Sequence, residues 1–343
     1  MSAPAAYTVH AADLARDRER ILGLWRGNLG QDARMAAKYD WFYRRCPYGE
    51  PLTLLLRHED SGAWVGVASA GPRKMLLDGR EVIAGVLVDL AVLPDHRSLG
   101  PALMLQMALM EAGAKRFDLL YGFPNPKATA VFKRVGYASL GELSRHARVL
   151  RHGGYVRRKL PAPLAMPAGV LLDFADRVRL RSRAGGLHAQ WQPCADEALA
   201  GVWSPATAGP GPVAVRDLDF LRWRIDDSPL LDARYLVVRD RRGTPVAWFA
   251  CEAREHSLHV VDFWSLQGAA GPTQAQLATL LRAARGAGHP SVSIELSAAA
   301  ATDAWRSVGF AAREGRPVFG RARDAQADAL KARAWLTTAD EDE

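Results

Sequence analysis

The chain has 343 residues, 49% of them hydrophobic, and carries 45 Lys and Arg against 37 Asp and Glu for a formal net charge of +8. That length exceeds what one hydrophobic core usually holds and predicts about two domains. Cys46, Cys194 and Cys251 lie in separate segments with no Cys-x-x-Cys pair, which argues against a disulfide framework or a structural metal site, and no apolar run reaches the roughly 18 residues of a membrane-spanning helix.

In chain order, residues 1–6 lack the basic and hydrophobic regions of a signal peptide, so a cytoplasmic protein is expected. Trp41 and Tyr43 open an aromatic cluster whose ordinary role is core packing and whose functional role is lining an acceptor pocket. Residues 54–57 and 64–68 read as two strands around an Asp60-Ser61-Gly62 turn. Residues 86–92 form an apolar strand interrupted only by Asp89; a tight turn through Arg97, Ser98, Leu99, Gly100, Pro101 and Ala102 then enters a helix that ends near Gly113. A strand at 117–121, the loop Gly122-Phe123-Pro124-Asn125 and a short helix stopped by Gly136 follow.

A loop whose backbone N–H groups converge on a helix N-terminus offers unpaired donors and the positive end of the helix dipole, so it favours an anion such as a pyrophosphate. Gly100 permits close approach of a ligand, and Pro101 removes one donor but suits the first turn of a helix. Arg97-x-x-Gly100-x-Ala102 resembles the pyrophosphate loop of the GNAT superfamily of acyl-CoA-dependent N-acyltransferases, and Asn125 to Tyr137 resembles that family's second cofactor motif, with Asn125, Ala128 and Phe132 inside it. The resemblance covers residues 7–149 and, more weakly, the C-terminal half.

That resemblance implies a mixed α/β (α+β) fold and acetyl-CoA or another acyl-CoA as cosubstrate. It also implies direct attack by a small-molecule or peptide amine on the thioester. The carbonyl oxygen would be polarised by a strand backbone N–H, with Leu90, Ala91 and Val92 nearest. Phe132 stands where many members carry a Tyr as general acid, which leaves Tyr121 and Tyr137 as the nearby hydroxyls or leaves the thiolate without a specific proton donor. Asp89 is the candidate base, because it is the lone carboxylate in an apolar strand and burial raises a carboxyl pKa. The whole-chain pattern also resembles bacterial GNAT proteins associated with surface polysaccharide or cell-envelope biosynthesis.

The second half repeats the first. Trp41 precedes Pro47 as Trp223 precedes Pro229, while Val88-Asp89, Phe132 and Gly136-Tyr137 meet Val261-Asp262, Trp305 and Gly309-Phe310 at a constant offset of 173 positions. At that offset Arg97, Gly100 and Asn125 become Ala270, Thr273 and Ala298, so the second copy lacks the loop. Two tandem GNAT-like domains are expected, each a twisted, mostly antiparallel sheet flanked by helices. The N-terminal domain, 1–150, would hold acyl-CoA; a basic, Pro-containing linker with a connector helix would span 151–185; a degenerate domain would fill 186–325 and a charged, solvated tail 326–343. Asp262 gives Asp89 a structural alternative, since a role shared with the degenerate copy need not be catalytic. Asn125 combines ligand contact with an N-cap.

The connector helix, residues 170–183, is amphipathic and basic; packing of its Leu and Val stripe on a domain is the expected arrangement, a membrane surface the other. The basic residues are scattered without a base-stacking aromatic array, which argues against nucleic acid. Two alternatives to an acyltransferase remain: a catalytically silent CoA- or partner-binding module, and an aminoacyl-tRNA-dependent transferase.

Overall fold

The structure is a computed structural model that describes residues 6–30, 32–157, 161–255, 257–323, 330–331 and 333–341. The first half contributes strands β1 (Tyr7–Ala11), β2 (Leu52–His58), β3 (Trp64–Leu77), β4 (Arg80–Val92), β5 (Leu119–Gly122) and β6 (Ala138–Val149). The second contributes β7 (His188–Gln192), β8 (Val213–Ala214), β9 (Ala233–Arg239), β10 (Pro245–Arg254), β11 (Ser257–Ser265), β12 (Ser291–Leu296) and β13 (Ala311–Ala322). The helices are α1 (Arg18–Trp25), α2 (Met35–Lys38), α3 (Leu99–Arg116), α4 (Pro126–Val135), α5 (Gly153–Val156), α6 (Ala162–Arg183), α7 (Glu197–Ala200), α8 (Leu218–Leu221), α9 (Gln274–Gly286) and α10 (Ala299–Ser307).

The described strands form one mixed, mostly antiparallel sheet in the order β1-β2-β3-β4-β5-β13-β6-β12-β11-β10-β9-β7, with β8 beside β3. The two halves therefore share a sheet and exchange their last strands: β13 lies between β5 and β6, and β6 lies between β13 and β12. β6 and β13 sit at corresponding positions of the two copies, so the exchange is reciprocal about a pseudo-twofold axis. The same symmetry joins the paired tryptophans. Trp41 and Trp223, both buried, stack at 5.4 Å, and each indole Nε1 donates to the other's backbone carbonyl, at 2.6 and 3.3 Å. Trp41 thus belongs to the core between the halves and not to an acceptor pocket.

Local chemistry explains the element ends. Asn125 caps α4 by accepting from the Ala128 N–H at 2.9 Å, and Pro126 follows in the first turn. Gly136 and Gly309 follow α4 and α10 with φ of +99° and +95°, a conformation that costs other residues more. The offset between copies changes along the chain, from 182 at Trp41 and Trp223 to 173 at Asp89 and Asp262. The cause is the β3–β4 hairpin, which is longer than β10–β11 and reaches across to the second half, where Met75 and Leu76 pair with Ala214 and Val213.

Two expectations change here. Among the described tail residues, Leu330, Ala334, Trp335, Leu336 and Ala339 are buried, and so are Asp340 and Glu341, because buried arginines bind this segment: Arg216 donates to the Asp340 carboxylate, and Arg224 Nε donates to the Ala339 and Glu341 carbonyls. α6 does not pack its apolar stripe on a domain; Val170, Leu171, Phe174 and Val178 are exposed, while Asp173 and Asp176 turn inward to Arg285 and Arg148.

Candidate active site

β4 and β5 pair in parallel from Ala84 opposite Leu119 to Leu87 opposite Gly122, and then part. The parting coincides with a bulge in β4: Ser69 faces Val88, but Val67 faces Ala91, so Asp89 and Leu90 share the place of one residue. Asp89 adopts φ +55°, a left-handed conformation that Asp tolerates better than most side chains. The resulting cleft has a volume of about 220 Å³ and is lined by Leu87, Val88, Asp89 and Leu90 on one side and Phe123, Pro124, Asn125, Ala128 and Phe132 on the other.

Asp89 is not alone in an apolar wall, as its sequence context suggests. Its carboxylate accepts from Lys38 Nζ at 2.8 Å and from the Tyr43 hydroxyl at 2.7 Å, with its own side chain 2% exposed. Tyr43 lies on a π-helical turn, Tyr39–Arg44, directly after α2, and this turn brings Lys38 and Tyr43 to the bulge together.

α3 borders the cleft through Gln106, and none of Arg97, Ser98, Leu99, Gly100, Pro101 and Ala102 at its start is on the lining. Ser98 precedes α3 in an extended conformation and makes no side-chain cap, so the N–H groups of Leu99 and Gly100 in the first turn lack one, and Pro101 has no N–H to offer. Arg97 is spent on bracing the loop: its Nε donates to the Val92 carbonyl at 3.1 Å and its guanidinium also bonds Asn28. A Cβ at Gly100 would meet only Ser98 Oγ, at 4.0 Å, so packing does not require glycine there. A glycine that the fold leaves in open space at an uncapped helix end fits close approach by an anionic group.

Leu90, Asn125, Ala128 and Phe132 line the cleft with Asp89, whereas Ala91 and Val92 continue β4 as buried strand. The two tyrosines lie elsewhere. The Tyr121 hydroxyl donates to the Asp340 carbonyl at 3.0 Å, and Tyr137 packs against the Phe132 ring with its hydroxyl buried; burial pushes both phenols up. Neither lines the cleft.

Four cleft groups escaped sequence reading: Lys38 beneath Asp89, and Gln106, Arg316 and Glu341 on the lining. Gln106 is 1% exposed, and its Oε1 has no partner among the described residues. A lone amide among the leucines of α3 was the available signal. Nothing local could have found Arg316 and Glu341, which come from β13 and the C-terminal segment and pair with each other at 2.8 Å.

The second copy repeats the architecture without the opening. β11 and β12 pair in parallel from Leu258 opposite Val292 to Val260 opposite Ile294 and then part in the same way. That gap is filled by the C-terminal segment: Thr337 bridges to Leu296, the Ser297 N–H donates to the Leu336 carbonyl, and Trp335 packs on Phe263 and Trp264 at 5.1 and 5.0 Å. Asp262, the counterpart of Asp89, is fully buried, takes a bidentate pair from Arg216 and accepts from the Thr337 hydroxyl at 2.8 Å. The corresponding helix, α9, is closed by a capping box in which Thr273 Oγ1 accepts from the Gln276 N–H and Gln276 Oε1 from the Thr273 N–H.

This fold, one sheet that splays at two corresponding places and leaves one of them open, is the GNAT fold in a two-lobed arrangement. A probable N-acyltransferase from Enterococcus faecalis superposes with a TM-score of 0.66 at 11% identity, covering 94% of this chain and 74% of that one. A GCN5-related N-acetyltransferase from Kribbella flavida gives 0.60 at 15% identity, covering 94% and 73%. Saccharomyces cerevisiae N-myristoyltransferase, solved with bound myristoyl-CoA, gives 0.53 at 12% identity, covering 93% and 83%. No family model and no curated protein matches the sequence. At these identities the likeness is one of fold, and none of these neighbours ties the chain to surface polysaccharide. No described helix is long and apolar enough to cross a membrane.

Proposed function

We propose that the protein is an acyl-CoA-dependent N-acyltransferase with one working site, the β4–β5 cleft of the first half. The observation that carries this reading is the contrast within the chain: one splay stands open and the helix that follows its strand is uncapped, while its twin is filled by the protein's own C-terminal segment and the corresponding helix is capped. The fold neighbours, which include N-acyltransferases, support the same class.

In this reading the pyrophosphate of acyl-CoA lies at the Leu99 and Gly100 N–H groups, and the pantetheine arm enters between Leu87–Leu90 and Phe123–Ala128. Gln106 Oε1 is placed to accept from an amide N–H of that arm. The acceptor amine attacks the thioester carbonyl carbon while β4 N–H groups from Leu90 onward stabilise the developing oxyanion. The C–S bond then breaks, the acyl group stays on nitrogen and CoA leaves as thiolate. Asp89 takes the proton lost by the amine, held in place by Lys38 and Tyr43. Phe132 supplies no proton, so the thiolate takes one from solvent.

Phe132 also favours a second reading, a module that binds acyl-CoA without turnover. Calorimetric titration with acetyl-CoA and longer acyl-CoAs tests the site, and thiol release in the presence of amine acceptors separates the two readings. No binding by any acyl-CoA would refute both.

A further inference from the structure

α6 is an amphipathic helix mounted with its polar side inward. Its inner side holds the buried Gly169 and Leu180 together with both of its carboxylates. Gly169 lies so close to α5 that a Cβ would fall 2.9 Å from the Gly153 Cα. Asp173 accepts from the His152 backbone N–H and ring at 2.9 Å and faces Arg285 at 3.5 Å; Asp176 pairs with Arg148 and lies 3.6 Å from Arg285. These ion pairs fix the rotation of the helix about its axis.

The outer side is apolar. Leu164, Met166, Val170, Leu171, Phe174 and Val178 are 52 to 68% exposed. Met166, Val170, Phe174 and Val178 recur every four residues and so share one face, with Leu164 and Leu171 beside them. A globular protein ordinarily buries such a stripe. The charge left outside has one sign: Arg177, Arg179 and Arg181 are exposed, Arg183 is half-buried, and none of the four is in a salt bridge among the described residues.

An apolar face that continues toward its C-terminal end as Arg177 and Arg181, with the acids neutralised on the inner side, matches the interface of an anionic bilayer, where apolar side chains enter the acyl boundary and guanidinium groups reach the phosphates. A second copy of the chain would bring a matching row of arginines against the first, and like charges oppose that pairing. We propose that α6 docks the protein on an anionic membrane surface, lying in the plane of the headgroups with Met166, Val170, Phe174 and Val178 facing the acyl chains. The proposal stands apart from the acyl-transfer reading, since it rests on no residue of the cleft.

Flotation of the full chain with phosphatidylcholine vesicles, with and without phosphatidylserine, tests it. The expected result is binding to the phosphatidylserine vesicles, weakened by salt and by about fivefold for each arginine replaced in Arg177→Gln and Arg181→Gln. Phe174→Asp and Val170→Asp change exposed positions, so they should keep the melting temperature of the parent and lose flotation. Absence of binding to anionic vesicles overturns the proposal, and so does equal binding by Phe174→Asp. A dimer in sedimentation that Phe174→Asp dissociates, with no vesicle binding, would assign the face to a second copy instead.

Discussion

The two copies part their central strands after corresponding residues, Leu87 and Val260, yet they put opposite things in the gap. In the first, the bulge at Asp89 and Leu90 faces a cleft with Lys38 and Tyr43 behind the carboxylate. In the second, Trp335 and Thr337 occupy the space, and Asp262 is locked to Arg216 with no exposure. A splay is therefore a property of the sheet, and a site is a splay that nothing else fills. The aspartate shared by both copies is structural in one and faces the cleft in the other.

The largest effects should come from breaking that asymmetry at the helix ends. Gly100→Glu places a carboxylate where the anion would sit and should abolish acyl-CoA binding in calorimetry, whereas Thr273→Glu should leave binding intact and cost about 1 kcal/mol of stability by removing the α9 cap. Equal loss of binding in both would assign the site to the wrong half.

The aspartates should separate next. Asp262→Ala removes the bidentate partner of the buried Arg216, which keeps Asp340 at 3.2 Å, and is expected to cost about 1.5–3 kcal/mol in denaturant unfolding. Asp89→Asn should leave the fold and acyl-CoA binding in place and lower turnover by about 10²- to 10⁴-fold. A stability loss at Asp89 as large as that at Asp262 would make the first aspartate structural too.

Trp335→Ala should destabilise by about 3–5 kcal/mol through the cavity it leaves, without creating a second acyl-CoA site, because α9 stays capped. A stoichiometry of two in calorimetry would mean that the C-terminal segment alone closes the second site. The same segment gives a pH dependence. His259 bonds Thr338 and Ser293, and burial lowers its pKa from 6.5 to about 3. The unfolded chain therefore takes up this proton first, so the melting temperature should fall as pH drops from 6.5 toward 3, with a shallower slope in His259→Gln.

The smallest effect is expected for Phe132→Tyr, which returns a hydroxyl to the cleft and should raise turnover by about tenfold or less. Turnover that appears only in this variant would favour the binding-module reading.

Much of this was legible in residue order. The cap at Asn125, the stop at Gly136, the strand–loop–helix around Gly100 and the repeat itself depend on chemistry within a few residues or on matching the chain against itself. Lys38 was invisible because nothing near it marks it; α2 and the π-helical turn carry it to a carboxylate 51 positions away. Tyr121 and Tyr137 looked available because they stand close in sequence to Phe132, but packing buries both hydroxyls, Tyr121 from β5 and Tyr137 from the turn before β6.

By itself the sequence determined the local elements, the internal repeat and the half in which Gly100 opens a helix, since periodicity, capping and glycine chemistry act over short stretches of chain. Tertiary structure alone decided the exchange of β6 and β13, the arginine-held C-terminal segment in the second splay, and the outward face of α6. Those outcomes depend on contacts between residues as far apart as Arg73 and Glu341, 268 positions along the chain. A hydrophobic pattern marks which surface wants cover, and only the packed molecule decides what covers it.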